Sequence, residues 1–296
     1  MLSYPSVSVV VPTHNRKDKI VKLLRSVKDS DYPSDRIEII VVDDASSDST
    51  EETLQNLFPE VRVIRNITEK FPSASRNLGL RKSQGDFVFL IDDDNVVDKN
   101  GINELVKAFL LNSRIGLAGP IALYNSRRSK IWCAGGQIRP PLFIHRHLLQ
   151  NTNIEDLPPV LQEATIEVDY VPNAFMVRRD IVDRGGVFDE SLPIGWEEID
   201  LAIRIKKMGY KIAVSCKSRI FHDVAFSRDV HINNDRAFWR GRDRVAFYRK
   251  HLPLRSLLIP FDILGFLVLV LELKVGTESF WEYTKGVKEG LTIRLK

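Results

Sequence analysis

Three apolar, β-branched runs in this chain each break directly into polar residues. Ser6–Val11 runs into Pro12, Thr13, His14 and Asn15; Ile37–Val42 runs into Asp43 and Asp44; Phe87–Ile91 runs into Asp92, Asp93 and Asp94. Between them lie segments with helical spacing. Lys17–Val27 repeats apolar residues at Ile20, Leu23, Leu24 and Val27, and helices are also expected over Ser49–Phe58 and Ser73–Lys82, with a short strand at Val61–Ile64. Such alternation predicts an α/β fold, a mostly parallel sheet with helices on both faces. Ligands of open α/β sheets bind beyond the carboxyl ends of the strands, so polar strand ends that converge on one edge predict a site.

The acid run is the most specific of these ends. If strand alternation continues through it, Asp92 and Asp94 face one way and Asp93 the other. Two close carboxylates repel unless a cation lies nearby, and Mg²⁺ or Mn²⁺ held by one or two carboxylates plus substrate phosphates is a common answer. The bland alternative is a solvated turn capping a helix. Placement after a buried-type strand, beside two other polar ends, favours the functional one.

The rest of the chain divides less sharply. Gly101–Asp189 is mixed and rich in Pro and Gly, with mobile surface segments expected at Asn125–Lys130 and Arg139–Pro159. Glu197–Met208 has a helical pattern closed by Gly209, and Lys211–Val214 is strand-like. The expected division is a domain over residues 1–225, with halves at 1–100 and 101–225, and a helical region over 226–296. Residues 236–255 of that region carry seven basic residues against the single acid Asp243. An apolar stretch follows over 254–273, near the ~20 residues a membrane span needs but interrupted by Pro260, Asp262 and Glu272. An interfacial or re-entrant helix behind a basic collar is the favoured expectation, and a helix buried against the domain is the alternative.

A formal net charge of +4 is too small and dispersed to suggest nucleic-acid binding, but suits an anionic substrate or membrane surface. Cys133 and Cys216 form no C-x-x-C pair and are too few for a disulfide framework. The amino-terminal sequence lacks a basic start followed by an apolar signal core. Both point to the cytoplasm.

Five segments together carry a resemblance. "VSVVVPTHNR", "IEIIVVDDASSDST", "SASRNLGL", "GDFVFLIDDDN" and "GGVFDESLPIGWEEIDLAIRIKKMGYKI" resemble, in order and spacing, the motifs of family 2 glycosyltransferases with the GT-A fold. The similarity covers residues 6–225. It implies a Rossmann-like sheet and an inverting, metal-dependent transfer of a hexosyl or deoxyhexosyl unit from a UDP-, GDP- or dTDP-linked sugar. The implied acceptor is a hydroxyl of a lipid-linked or polysaccharide glycan, reached by a protein lying peripherally on the inner face of the cell membrane.

The roles follow from the resemblance by position. Pro12, His14, Asn15, Asp43 and Asp44 would line the nucleotide-sugar pocket, Arg76 would approach the diphosphate, and Asp92 and Asp93 would lie near the donor. Asp94, with help from Asp92 and His222, would hold Mg²⁺ or Mn²⁺. Asn173 and Trp196 would face the acceptor. Transfer to a hydroxyl needs a group that removes its proton, and the resemblance assigns that role to the Glu197–Glu198 pair, with Glu198 standing where the family commonly has Asp. Each has a structural alternative: a turn, a surface arginine, a satisfied histidine, or acids that suit a helix dipole.

Three other functions compete. Transfer onto a polyprenyl phosphate needs no general base. A catalytically silent binding protein would be expected to have lost the acid motif or the base. A nucleotidyltransferase would carry a Gly-rich loop after the first strand, which "PTHNRKDK" lacks.

Overall fold

The computed structural model describes residues 4–139, 144–172, 174–224, 234–252, 259–272 and 277–295. The chain begins with β1 (Val7–Thr13), α1 (Lys17–Lys28), β2 (Ile37–Asp43), α2 (Thr50–Leu57), β3 (Arg62–Arg65), α3 (Phe71–Lys82) and β4 (Phe87–Leu90). Helix α1 forms where the apolar spacing predicts it, and Ile20, Leu23, Leu24 and Val27 are its buried residues. Strand β1 pairs in parallel with both β2 and β4, and β2 with β3. Thr13 is in register with Asp43, so the polar ends of β1 and β2 coincide.

Pro12 lies inside β1 rather than ending it. Val10 turns its carbonyl toward β4, where it accepts from the Ile91 amide at 3.1 Å. Two residues on, Pro12 turns the same way but has no N–H to donate, and the β1–β4 ladder ends at Val10–Leu90. Residues 91–94 therefore leave the strand at its carboxyl end.

After β4 come β5 (Asn95–Val97), α4 (Gly101–Leu111), β6 (Ile115–Tyr124), β7 (Arg127–Cys133), β8 (Gly136–Arg139) and β9 (Ile144–His147). Then follow α5 (Pro159–Gln162), β10 (Thr165–Glu167), β11 (Phe175–Arg178), α6 (Arg179–Asp183), α7 (Glu197–Lys207) and β12 (Lys211–His222). Among the described residues the main sheet runs β10-β12-β6-β11-β4-β1-β2-β3, with β5 on β12 and β7 on β6. The expectation of a mostly parallel sheet is corrected here: the sheet is mixed. Strand β11 lies antiparallel between β4 and β6, and β10 and β5 run antiparallel to β12. Antiparallel neighbours need no helical crossover, so the less periodic middle of the chain can still supply them.

Strand β6 went unread in the sequence. All ten of its residues, "IGLAGPIALY", are buried, so it shows no alternation. Its small residues have a steric reason: a Cβ at Gly119 would lie 2.2 Å from Val171 Cγ1. Pro120 sits at a register irregularity against β12, between Ser215 and Arg219, where a missing donor is tolerated.

The chain forms two compact units, Met1–Val187 with Leu201–Phe226, and Phe188–Asp200 with Ser227–Lys296. The second contains α8 (Asn234–His251), α9 (Ile259–Glu272) and α10 (Thr277–Thr292), with a core of Ala237, Val245, Ile259, Phe266, Tyr283 and Val287. Phe266 and Tyr283 stack at 4.0 Å.

Part of the basic run is spent inside this unit. Arg242 pairs with Asp243 at 2.6 Å and Glu289 at 2.7 Å, and Arg249 donates to the Gly290 and Ile293 carbonyls. Lys250 pairs with Asp189 and Asp200. Helix α9 is divided: Ile259 and Phe266 are buried, while Phe261, Leu264 and Val268 are exposed at helical spacing. Residues 254–258 and 273 of the expected apolar segment, including Arg255, lie outside the described residues. Among the described residues, no helix is long and apolar enough to cross a membrane.

Candidate functional site

The carboxyl ends of β1, β2 and β4 carry their polar residues to one edge of the first unit, and hydrogen bonds tie these ends together. His14 Nδ1 lies 2.6 Å from the Asp44 carbonyl oxygen. Asn15, at φ 52°, accepts from the Ser47 amide at 2.7 Å, while its own amide donates to Ser46 Oγ. Thr13 Oγ1 donates to Asp93 Oδ2 at 2.7 Å.

Asp43 and Asp44 are both buried but partnered differently. Asp43 accepts from the Ser46 amide and pairs with Arg65 at 2.9 Å. Asp44 accepts from Asn66 Nδ2 at 2.6 Å and from the Lys70 amide at 2.9 Å. Arg65 and Asn66, at and just past the end of β3, were not singled out in the sequence, although they follow a short strand there.

The acid run does not keep strand alternation, because β4 ends at Leu90. Asp92 pairs with Arg76 at 2.8 Å. Arg76 is only 6% exposed, so the surface-arginine alternative does not hold. Asp93 and Asp94 share Arg16, which lies 3.0 Å from Asp93 Oδ1 and 3.1 Å from Asp94 Oδ2. Arg16 also escaped the sequence reading, though it directly follows the polar end of β1.

Asp93 and Asp94 differ electrostatically. Burial pushes the Asp93 carboxyl up to about 6, against the pull of Arg16 and Thr13. Burial acts the same way on Asp94, but His222, Arg16 and Lys19 outweigh it and hold Asp94 below the usual carboxylate range.

The β5–β12 ladder sets Asn95 opposite His222, and His222 Nε2 then lies 3.4 Å from Asp94 Oδ1. Trp132 packs edge-on against both His222, at 4.4 Å, and His147, at 4.9 Å. Burial lowers His147 to about 4, which keeps it neutral. Nothing in the local sequence marked Trp132.

Asp94 and His222 bring one oxygen and one nitrogen donor within 3.4 Å of each other, a pair suited to Mg²⁺ or Mn²⁺. His222 Nδ1 is buried and has no hydrogen-bond partner among the described residues. No group of three or more His, Cys, Asp or Glu that could hold a metal occurs among those residues, so ligand oxygens would have to complete the shell. With that completion the residues fit the group.

In the second unit, Glu197 and Glu198 open α7, with Glu197 buried and Glu198 more exposed. Trp196 precedes them at φ 67° and packs on Phe247 at 4.7 Å. Asn173 lies outside the described residues.

The model of the family described as glycosyl transferase family 2 matches residues 8–186, more than half of the chain. The chain is 26% identical over 266 residues to the probable glycosyltransferase YdaM of Bacillus subtilis, covering 87% of this chain and 58% of that protein. It is 35% identical over 107 residues to a GalNAc(5)-diNAcBac-PP-undecaprenol beta-1,3-glucosyltransferase of Campylobacter jejuni, covering 35% of this chain and 34% of the other. It thus spans little more than half of the first relative and about a third of the second. The mannosyltransferase PcManGT of Pyrobaculum calidifontis, solved with GDP-Man and Mn²⁺, superposes with a TM-score of 0.59 at 18% identity, over 97% of this chain and 74% of that one. At that identity the likeness is one of fold, and it agrees with the GT-A expectation.

Proposed function

Given that the chain belongs to glycosyl transferase family 2, we propose that it is an inverting glycosyltransferase that moves a sugar from a nucleotide diphosphate to a glycan hydroxyl. The observation that carries this reading is the meeting of Asp94, His222 and Arg16 with the Arg76–Asp92 pair at the strand ends. Cationic and metal-binding groups side by side are what a leaving diphosphate requires, since negative charge grows on it as the glycosidic bond breaks.

Asp44, His14 and Asn15 line the nucleotide end, joined by the bonds between the β1 and β2 loops. Arg76, buried and oriented by Asp92, meets the diphosphate with its geometry already set, so little reorganisation is needed in the transition state. Asp94 and His222 would hold Mg²⁺ or Mn²⁺, which supplies Lewis-acid stabilisation of the departing phosphates. Glu198, the more exposed member of its pair, removes the acceptor proton, with Glu197 as the alternative base.

A lipid-linked glycan is the proposed acceptor class. It is supported by the undecaprenol-linked substrate in the name of the Campylobacter relative and by the exposed Phe261, Leu264 and Val268 of α9, which suit a membrane surface on the cytoplasmic side.

The test is a thermal-shift series against UDP-, GDP- and dTDP-linked sugars, with and without Mn²⁺. A native-state ligand raises the transition temperature, so one donor class should stabilise the protein, and more so with the metal. No shift with any donor would sink the reading. Replacing both acids, Glu197→Gln with Glu198→Gln, separates the acceptors: loss of transfer supports a hydroxyl, while retained transfer points to a polyprenyl phosphate.

A further inference from the structure

The segment that carries the acid pair is held by α8 at successive points. Asp243 Oδ2 accepts from the amides of Gly195 and Ile194 at 3.1 and 3.3 Å, and Arg242 Nη1 donates to the Ser191 carbonyl at 3.0 Å. Lys250 Nζ lies 2.6 Å from Asp189 Oδ2 and 2.9 Å from Asp200 Oδ1. His251 Nε2 lies 2.7 Å from the same Asp200 oxygen. Trp196 packs on Phe247, with the Arg244 guanidinium 5.8 Å from its ring centre.

These contacts are directional where apolar packing is not. Asp200 is fully buried in the first turn of α7, and its amide donates to the Trp196 carbonyl, closing that turn. A carboxylate so placed is tolerated only while its cations stay in position. A buried network with every member bonded admits few alternative arrangements. The Lys250 bridge fixes both ends of the 189–200 segment, so the direction of the turn bearing Glu197 and Glu198 is set from α8.

We propose that α8 belongs to the catalytic apparatus, with Lys250 and His251 as positioning residues that hold the Glu197–Glu198 turn through Asp189 and Asp200. This rests on the reading that the acid pair supplies the base. It gives the helical region after residue 226 a part in the reaction, separate from any contact with membranes. The residues proposed to bind the donor lie in the first unit.

The experiment pairs kinetics with amide exchange in the full chain. Acceptor-free hydrolysis of UDP-N-acetylglucosamine, UDP-glucose and GDP-mannose with Mn²⁺ reads activation of water by the same base. Lys250→Met is expected to lower kcat for the donor that is used by about 10²-fold, the effect of a misplacement near 1 Å. The donor KM should stay within about twofold, because donor binding is untouched. Lys250→Arg, which keeps the charge, should recover most of the rate. Amides of residues 190–201 should exchange faster in Lys250→Met, while those of the β1–β4 strands do not change.

Unchanged exchange in residues 190–201 overturns the positioning role, whatever the kinetics. Faster exchange together with full activity in both Glu197→Gln and Glu198→Gln keeps the mooring and removes the base assignment instead. If Lys250→Met does not fold, His251→Gln, which retains a donor toward Asp200, carries the same two readouts.

Discussion

His222 Nε2 stands 3.4 Å from Asp94 Oδ1, brought there by a three-residue antiparallel ladder between β5 and β12. If this pair holds the metal, Asp94→Ala and His222→Ala should each weaken Mn²⁺ binding by at least about 10-fold. Titration followed by Mn²⁺ electron paramagnetic resonance measures this without substrate. Wild-type affinity in either variant removes that residue from the ligand set.

Arg16 competes for the same carboxylate. Its side chain is 45% exposed, so the contact is screened and its strength modest. Arg16→Ala should tighten Mn²⁺ binding in the absence of nucleotide by up to about fivefold, equivalent to ~1 kcal/mol. The gain should shrink at high salt. Weaker binding in the variant would mean that Arg16 supports the metal site.

Gly79 sits where α3 crosses β1, and a Cβ there would lie 2.3 Å from Val10 Cγ1. Val10 is fully buried in the sheet and has little room to yield. Gly79→Ala should therefore destabilise the protein by about 1–3 kcal/mol, despite the better helix propensity of alanine. Denaturant unfolding measures it, and a stabilised variant would contradict the close approach.

Burial pushes Asp243 up to about 7, although Arg242 and the Ile194 amide favour its charged form. Its folded-state value is raised above the unfolded one, so the native state binds the extra proton and stability falls as pH rises toward 7. Asp243→Asn should remove this slope. Relative to wild type, the variant should gain about 2 kcal/mol between pH 5 and pH 7. Parallel stability–pH curves would show that Asp243 is ionised throughout.

Much of the amino-terminal half could be read along the chain. The runs that became β1, β2 and β4 are apolar and β-branched, and parallel pairing aligns their polar ends without further information. Strand β6 could not be read that way, because burial on both faces removed its alternation and its Gly and Pro imitated a loop. Strand β12 was expected to stop at Val214 but continues to His222 past a register shift that local pattern does not signal.

The basic run over 236–255 shows the same limit in charge. In sequence it suggests a collar for an anionic surface. In the folded chain Arg242, Arg249 and Lys250 are engaged with carboxylates and helix-end carbonyls. The count of charges was legible, but their direction was not.

The sequence by itself determined the polar residues that follow β1, β2 and β4, the order of the motifs and the family, because hydrophobic period and residue type act over a few neighbours. The tertiary structure decided the partners: Asp92 with Arg76, Asp94 with His222 and Arg16, Asp200 with Lys250 and His251. A charge buried with the chain must find its counterion across tens of residues, and only the completed packing fixes which one comes within reach.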